Sequence, residues 1–365
     1  MIWLVGFIIV IIVGIGGTIY LSCAISRFGL IQKAFGERKW LSRLIAFAIL
    51  LAGFALFAKV LSVTDAVVIL LHLLFFFLVY GLVFRIVEKG SGKRTEINWQ
   101  GWLALLTTAV YLAVGYYQCV HVWKTEYAIT SEKPVGELRI ALLADSHIGT
   151  TFDGEGFAAY LDEIMLEKPD LILIPGDFVD DSTTRADMLT ACRALGQIET
   201  KYGVWFAYGN HDRGYYNSRD FSAEELARAL EENHVHVLED EIVLIGDLCI
   251  VGRRDASFGQ RAELAVLLEG VDPEKYIIVL DHEPTDYEKE AATAADLVVS
   301  GHTHGGQLIP LGAVGEIFAG NNRTYGYEKR NGTDFIVTSG ISDWALHFKT
   351  GTRSEYVIID LDGGT

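Results

Sequence analysis

Residues 140–147 read Ile-Ala-Leu-Leu-Ala-Asp-Ser-His, an apolar run that ends in a carboxylate and, two residues later, an imidazole. A short apolar run bounded by polar residues is typical of a buried β-strand. Similar runs occur at 171–174 and 204–208, and helical patterns at 156–167 and 185–199 separate the three runs. Because strands that alternate with helices form a sheet covered by those helices, this part of the chain is predicted to be an α/β domain.

The strands predicted farther along the chain have a different spacing. Short apolar runs at 235–238, 242–245 and 248–251 lie close enough together to be antiparallel strands. Four later strands are predicted at 276–280, 297–300, 335–339 and 356–361. The fold class predicted for the domain is therefore α/β, with mixed β-sheets sandwiched by helices.

Polar side chains follow five of these strands directly. They are Asp145 and His147, then Asp177, then Asn210, His211 and Asp212, then His282, and last His302 and His304. Open α/β sheets bind ligands at the carboxyl ends of their strands, so we expect these side chains to lie close together. The two-residue period of an extended chain puts Asp145 and His147 on the same side, where both can contact one ion.

This set of side chains combines imidazoles, carboxylates and an amide. Such a set suits Mn, Fe, Zn or Co better than Ca, and it lacks the cysteines of a structural zinc site. A carboxylate that bridges two cations holds them roughly 3.5 to 4 Å apart, where they can bind a phosphoryl group and deprotonate a shared water. The sequence therefore predicts a site for two divalent metal ions, with manganese among the candidates, and hydrolysis of a phosphoester.

The order of the motifs resembles the calcineurin-like metallophosphoesterase family. The motifs are D-x-H at 145–147, G-D-x-x-D at 176–180, G-N-H-D at 209–212, a single histidine at 282 and G-H-x-H at 301–304. The resemblance extends over about residues 136–362. The stretch Gly-His-Thr-His-Gly-Gly-Gln at 301–307 is most similar to the membrane-associated bacterial branch of the family.

The resemblance implies two metal sites joined by one carboxylate, and hydrolysis by a hydroxide that lies between the metals. By position, the ligands of the first metal are Asp145, His147 and His304, those of the second are Asn210, His282 and His302, and the bridge is Asp177. His211 corresponds to a residue that protonates the leaving alkoxide or orients a phosphate oxygen, and Asp212 is expected to fix its tautomer. Asp180 is expected behind the ligands, where it either orients one of them or supports the fold.

The first third of the chain, residues 1–123, is predicted to be a multi-pass membrane region. No charged residue precedes Arg27, and charges are rare in the apolar runs that follow. About 20 apolar residues in a helix span the hydrocarbon core of a bilayer. Residues 124–136 are predicted to be a linker, and residues 137–365 the metallophosphoesterase domain. Four membrane helices are predicted, at about 1–23, 44–64, 66–84 and 102–120.

The charges on the two sides of residue 123 are opposite in sign. Residues 1–123 contain 10 Lys and Arg against 4 Asp and Glu, whereas residues 124–365 contain 20 against 43. Nine of the basic residues lie in two loops between predicted helices, and they are Arg27, Lys33, Arg38, Lys39, Arg43, Arg85, Lys89, Lys93 and Arg94. The positive-inside rule places these loops in the cytoplasm. The protein is therefore predicted to lie in the cell membrane, with both termini and the catalytic domain outside the cytoplasm.

The composition and charge also limit the partners. With 51% hydrophobic residues and four cysteines, the chain is neither a disordered protein nor a disulfide scaffold. The acidic domain disfavours polyanions, so we expect no nucleic-acid partner and a phosphoester that is small or linked to a lipid of the bilayer. The residues do not choose among a phosphodiester, a phosphomonoester and a pyrophosphate, and they leave the oligomeric state open.

Two other functions are compatible with the same sequence. The protein could be a membrane sensor whose domain binds a metal or a phosphoester without catalysis, although the complete motif set, including His211, argues against this. The helices could also form a transporter or channel with an accessory hydrolase, although polar residues are rare within them.

Overall fold

The computed structural model describes residues 2–92, 97–215 and 218–364, without the side chains of residues 2–9 and 319. Two of the basic loop residues, Lys93 and Arg94, lie outside the described residues. The chain divides into two compact units, Met1–Gly115 and Tyr116–Thr365.

The first unit is helical. Its helices are α1 (Ile2–Ile25), α2 (Gly29–Phe35), α3 (Lys39–Val60), α4 (Val63–Ser91) and α5 (Trp99–Val120), the last of which continues into the second unit. Among the described residues, α3, α4 and α5 are long and apolar enough to cross a membrane. The described part of α1 forms with α2 a pair bent by 76°, which makes a fourth crossing if the pair is one span. The crossing at 1–23 stays a prediction.

These helices are apolar both where they pack on one another and where they are exposed. Leu21, Ala46 and Leu74 are buried where the helices pack on one another. Other large apolar side chains on the same helices, including Leu56 and Ile86, are exposed. A helix that is apolar on all sides needs lipid or protein on every side, so the exposed side chains belong in a bilayer.

The second unit contains two six-stranded sheets. In spatial order the first sheet consists of β1 (Trp123–Thr130), β12 (Glu355–Asp362), β2 (Glu137–Leu142), β3 (Leu171–Pro175), β4 (Val204–Ala207) and β5 (Val235–Leu238). The second sheet consists of β10 (Gly326–Arg330), β11 (Thr333–Val337), β9 (Leu297–Ser300), β8 (Tyr276–Leu280), β7 (Leu248–Gly252) and β6 (Glu241–Ile245). Both sheets contain parallel and antiparallel neighbours, which confirms the predicted mixed sheets.

Helices cover the outer face of each sheet, as predicted. The first sheet packs against α6 (Gly154–Met165), α7 (Arg185–Gly196) and α8 (Ala223–Glu232). The second packs against the short helices α9 (Leu264–Leu267) and α10 (Tyr287–Glu290). After β9 come a further short helix, α11 (Leu311–Val314), and a π-helical turn, Gly315–Ala319.

Alternate residues of the same strand enter two different cores. In β2, Ala141 packs beneath the helices, whereas Ile140 and Leu142 belong to the core between the sheets. In β7, Ile250 faces the first sheet and Cys249 packs beneath α9 and α10. Because both faces of the central strands are buried, these strands are apolar throughout, and this is why short apolar runs predicted them.

Part of the segment predicted as a linker, 124–136, is a strand. β1 pairs in parallel with β12, from Trp123 opposite Glu355 to Thr130 opposite Asp362. Its side chains alternate between partly buried and exposed, as expected for an edge strand with a polar outer face. The linker prediction is wrong for residues 124–130, because pairing with a strand at the other end of the domain cannot be recognised from a polar local pattern.

A second difference concerns the three runs between 235 and 251. β5 does not pair with the next strand, because it lies parallel to β4 in the first sheet. β6 and β7 are antiparallel neighbours in the second sheet. The chain therefore passes from one sheet to the other between Leu238 and Glu241, over only two residues.

Candidate metal centre

The predicted ligands come from both sheets. The loops after β2, β3 and β4 of the first sheet carry Asp145, Asp177 and Asn210, and those after β8 and β9 of the second carry His282 and His302. The site therefore lies where the carboxyl ends of strands from both sheets meet, as the general rule for open α/β sheets predicts.

Asp145, His147 and His304 form a first cluster. Their ligand atoms lie within 4.8 Å of one another, and all three side chains are buried. Nε2 of His304 lies 3.9 Å from Oδ1 of Asp145. The rings of His147 and His304 are stacked with centroids 5.0 Å apart. These are the three residues expected to hold the first metal.

Asp177, His282 and His302 form a second cluster, again with ligand atoms within 4.8 Å of one another. Oδ2 of Asp177 lies 3.2 Å from Nε2 of His282 in its own cluster. The same oxygen lies 3.5 Å from Nε2 of His147 in the first cluster. One carboxylate oxygen therefore reaches a histidine of each cluster, which is the arrangement that a bridging ligand requires.

Asn210 lies beside the second cluster. Its Oδ1 is 2.8 Å from Nδ1 of His302 and 3.0 Å from Nε2 of His282. Its Nδ2 donates a hydrogen bond of 2.6 Å to the hydroxyl of Tyr215. This bond turns the amide oxygen toward the cluster, and the oxygen is the atom with which an asparagine binds a metal.

Several buried polar atoms of the site have no hydrogen-bond partner among the described residues. They are Nε2 of His147 and Nδ1 of His211, together with Nδ1 of His147 and Nδ1 of His304, each of which lies near a carboxylate without forming a hydrogen bond to it. In the described part of the chain, the carboxylates of Asp145 and Asp177 form ion pairs only with histidines. Buried nitrogens without a hydrogen bond are costly, and cations between them and the carboxylates would satisfy both. The residues present therefore fit two metal ions.

Burial and the neighbouring carboxylates shift the pKa values of the histidines in opposite directions. Burial alone would lower the pKa of His282, but the neighbouring Asp177 carboxylate raises that pKa well above its usual value. Burial lowers the pKa of His211 and of His302 to about 4, so both rings are uncharged at neutral pH. Because its ring is uncharged, His302 keeps a lone pair with which to bind a cation.

Five of the expected ligands have a left-handed backbone. Their φ angles lie between 34° and 70°, and they are Asp145, His147, Asp177, His302 and His304. Residues other than glycine rarely adopt this conformation, and it is retained at functional sites where the surroundings enforce it. The loop after β4 packs closely against Asp177, and residue 209 must be glycine because a Cβ there would collide with Oδ1 of Asp177.

Among the described residues, Asp212 makes no hydrogen bond to the ring of His211. Nδ1 of His211 is buried without a hydrogen-bond partner in this part of the chain. The carboxylate of Asp212 instead accepts hydrogen bonds of 2.7–3.1 Å from the backbone N–H groups of Asp177, Phe178, Val179 and Gly209. The expectation that Asp212 fixes the tautomer of His211 is therefore wrong, because both of its oxygens join the loop after β3 to the loop after β4.

Two carboxylates stand behind the histidines of the first cluster. Oδ2 of Asp180 lies 3.3 Å from Nδ1 of His147, and Oδ1 of Asp343 lies 3.2 Å from Nδ1 of His304. Burial alone would raise the pKa of Asp180, but its contact with His147 holds that pKa at about 2. Carboxylates in this position orient ligand histidines and increase their basicity. This geometry favours the orienting role for Asp180, and it adds Asp343, which is not among the predicted site residues.

Two aromatic side chains border His211. The centroid of its ring is 4.8 Å from that of Tyr215 and 5.0 Å from that of Trp344. Neither residue is among the predicted site residues. The signal available for Trp344 is weak, because five residues separate Asp343 and Trp344 from the end of β11.

The chain is similar in sequence to known metallophosphoesterases. Residues 138–306 match the family model described as calcineurin-like phosphoesterase. A transmembrane protein with metallophosphoesterase domain from Danio rerio is 31% identical over 322 residues, which cover 79% of this chain and 70% of that protein. An uncharacterized metallophosphoesterase from Aquifex aeolicus is 33% identical over 195 residues, or 51% of this chain and 71% of that protein. A solved structure from Thermus thermophilus has a TM-score of 0.38 at 12% identity, over 56% of this chain and 89% of that one.

The matched residues, 138–306, include every expected metal ligand and His211. The relative from Danio rerio is similar over a longer stretch, and its name states both a transmembrane region and a metallophosphoesterase domain. The chain therefore belongs to the calcineurin-like phosphoesterase family, as a membrane protein whose second unit is a metal-dependent phosphoester hydrolase.

Proposed function

We propose that this protein uses two divalent metal ions to hydrolyse a lipid-linked phosphoester at the outer face of the cell membrane. The observation that carries the proposal is the position of Asp177, whose Oδ2 lies within 3.5 Å of a histidine in each cluster. A carboxylate shared in this way holds two ions roughly 3.5 to 4 Å apart, the spacing at which both can contact one phosphoryl group.

In this proposal each ion has three ligands of its own, and both ions share a further ligand. The first ion is held by Asp145, His147 and His304, the second by Asn210, His282 and His302, and both by Asp177. When bound, such ions supply Lewis-acid chemistry, because they neutralise phosphoryl charge and lower the pKa of water. The mixed nitrogen and oxygen ligands suit Mn, Fe, Zn or Co.

His211 is positioned to act on the phosphoester. Its ring centroid lies 5.1 Å from that of His147, so it borders the first cluster without belonging to either group of ligands. Tyr215 and Trp344 contact the ring and limit its movement. An uncharged imidazole held in this way can donate the hydrogen bond of its N–H group to a phosphate oxygen.

The location of the domain supports a lipid-linked substrate. α5 ends at Val120 and β1 begins at Trp123, so only two residues connect a membrane-crossing helix to the first sheet. A phosphoester in the bilayer is then present at a high effective concentration. The basic residues near the end of α4, such as Arg85 and Lys89, favour a cytoplasmic position for that end of the helix, and hence a domain outside the cytoplasm.

Removal of the metal is expected to abolish catalysis by the full-length chain in lipid nanodiscs. We expect EDTA to lower the rate of bis-p-nitrophenyl phosphate hydrolysis by at least about 100-fold, because the ions supply most of the electrostatic stabilisation. Adding back Mn²⁺, Zn²⁺, Co²⁺ or Fe²⁺ in turn identifies the ion that restores the rate.

Two results would contradict the proposal. One is a chain that is free of metal by elemental analysis and keeps its rate. The other is a chain that binds two ions but hydrolyses neither a diester, nor p-nitrophenyl phosphate, nor pyrophosphate, which would favour the membrane sensor.

A further inference from the structure

Exposed apolar side chains are concentrated in residues 309–318, which we call the apolar segment. Ile309, Ile317 and Phe318 are 60%, 70% and 65% exposed, and Leu311 and Val314 between them are also exposed. The surfaces of soluble domains rarely carry so many large apolar side chains together, and such patches mark binding surfaces. The catalytic chemistry described above does not use this segment.

The apolar segment is attached to the loop that stands behind the metal centre. Nε2 of Gln307 donates hydrogen bonds to Oδ1 of Asp343 and to the backbone oxygen of Trp344. The backbone N–H of Ile309 donates a hydrogen bond of 2.9 Å to the hydroxyl of Thr350. Asp343 also contacts His304, so the same residue contacts both the first cluster and a residue that precedes the apolar segment, Gln307.

The same loop contacts the last turn of α5, which belongs to the second unit. Sγ of Cys119 lies 3.7 Å from Oδ2 of Asp343, and the ring of Tyr116 packs on that of Phe348 with centroids 6.3 Å apart. α5 is long and apolar enough to cross a membrane, and it ends at Val120. The loop behind the metal centre therefore lies against the carboxyl end of α5.

The charge of the apolar segment also fits a lipid surface. Glu316 is its one charged residue. The Glu316 carboxylate accepts hydrogen bonds of 2.9 Å from both the backbone N–H and the hydroxyl of Thr324, and it is thereby turned back toward the protein. The outward side chains are thus apolar, whereas the domain as a whole is strongly acidic.

We propose that the apolar segment and the exposed ring of Trp344 dock into the surface of the bilayer that holds α5. Large apolar and tryptophan side chains are stable at the boundary between headgroups and acyl chains. Docking would direct the metal centre toward the headgroups. Resting on the proposed function, the substrate is then an amphiphile whose phosphoester lies at headgroup depth while its hydrocarbon chain stays in the membrane.

Docking is tested by the depth of a fluorophore in the full-length chain in nanodiscs. The label is attached at Ile317→Cys in the apolar segment or, as a control, at Leu244→Cys in β6. Leu244 is also exposed, and it pairs with Cys249 near the start of β7, away from the metal centre. We expect lipids that carry a doxyl group to quench the emission of an NBD label at position 317 by about twofold or more. The same lipids should leave the emission of a label at position 244 unchanged. The unsubstituted chain gives the background from its own cysteines. Equal quenching at 317 and 244 would overturn docking.

The amphiphilic substrate is tested with two diesters that share one scissile bond, hexadecyl p-nitrophenyl phosphate in vesicles and methyl p-nitrophenyl phosphate in solution. The variant Ile317→Glu/Phe318→Glu should hydrolyse the hexadecyl ester at least about tenfold more slowly and the methyl ester at an unchanged rate, because only the first requires docking. Leu244→Glu should alter neither rate. Equal rates of the variant and the unsubstituted chain on the hexadecyl ester would overturn the inference. If the unsubstituted chain hydrolyses neither ester, the proposed function fails, while the quenching result still decides docking.

Discussion

Replacing Asp177 by Asn is expected to lower kcat for bis-p-nitrophenyl phosphate by at least about 10³-fold, which corresponds to about 4 kcal/mol of transition-state stabilisation. Asp177 is the carboxylate that reaches both clusters, through contacts of 3.5 Å to His147 and 3.2 Å to His282. Asparagine has nearly the same shape but no charge, so the variant should fold while losing the shared ligand.

The matched control is Asp162→Asn, because Asp162 is an exposed residue of α6 outside the candidate site. We expect this control to keep the rate of the unsubstituted chain. Elemental analysis of the purified Asp177→Asn protein should show fewer than two ions per chain, and its thermal unfolding should remain cooperative. A folded Asp177→Asn variant that retains more than about a tenth of the rate would contradict the bridging role.

Replacing His211 by Gln is expected to lower kcat by about 10² to 10³-fold while both metal ions stay bound. The ring borders the first cluster, with its centroid 5.1 Å from that of His147, but none of its atoms belongs to either group of ligand atoms. The residue should therefore contribute to the reaction through the phosphoester and not through metal affinity.

The control for this prediction is His236→Gln, an exposed histidine that stacks on Trp205 with ring centroids 4.2 Å apart. It should leave both the rate and the metal content unchanged. If His211→Gln loses metal in proportion to its loss of rate, His211 acts through the ligands, and its assignment to the phosphoester is wrong.

The residues of the site could be predicted because each follows a strand that is buried on both faces. Such strands are apolar throughout, so a sudden carboxylate or imidazole, as at Asp145 after residues 140–144, is conspicuous in the sequence. The rule that ligands gather at the carboxyl ends of strands then brings separate motifs to one place. The structure groups six of the seven expected ligands into two clusters and directs Asn210 toward the second.

Long-range pairing could not be predicted in the same way. β1 has polar residues at alternate positions and is stabilised by β12, whose sequence lies at the far end of the domain. The passage of the chain between the sheets after Leu238 has no local signal either, since runs spaced two to three residues apart are compatible with a hairpin. Both features depend on tertiary packing.

The direction of side chains in loops also could not be predicted from the sequence. Asp212 is adjacent to His211 in the sequence, yet its carboxylate turns away to backbone N–H groups, because a loop residue does not follow the period of a strand or helix. Asp343 and Trp344 are distant from the site residues in the sequence, yet they reach the site because their loop folds back on His304 and His211.

The most direct test of two ions bridged by one carboxylate is electron paramagnetic resonance of the full-length chain loaded with Mn²⁺. Two ions that share Asp177 would lie roughly 3.5 to 4 Å apart, so we predict two Mn²⁺ per chain and the spectrum of an exchange-coupled pair. The coupled spectrum should disappear in Asp177→Asn and persist in His211→Gln. A single Mn²⁺ per chain with the six-line spectrum of an isolated ion would contradict the account.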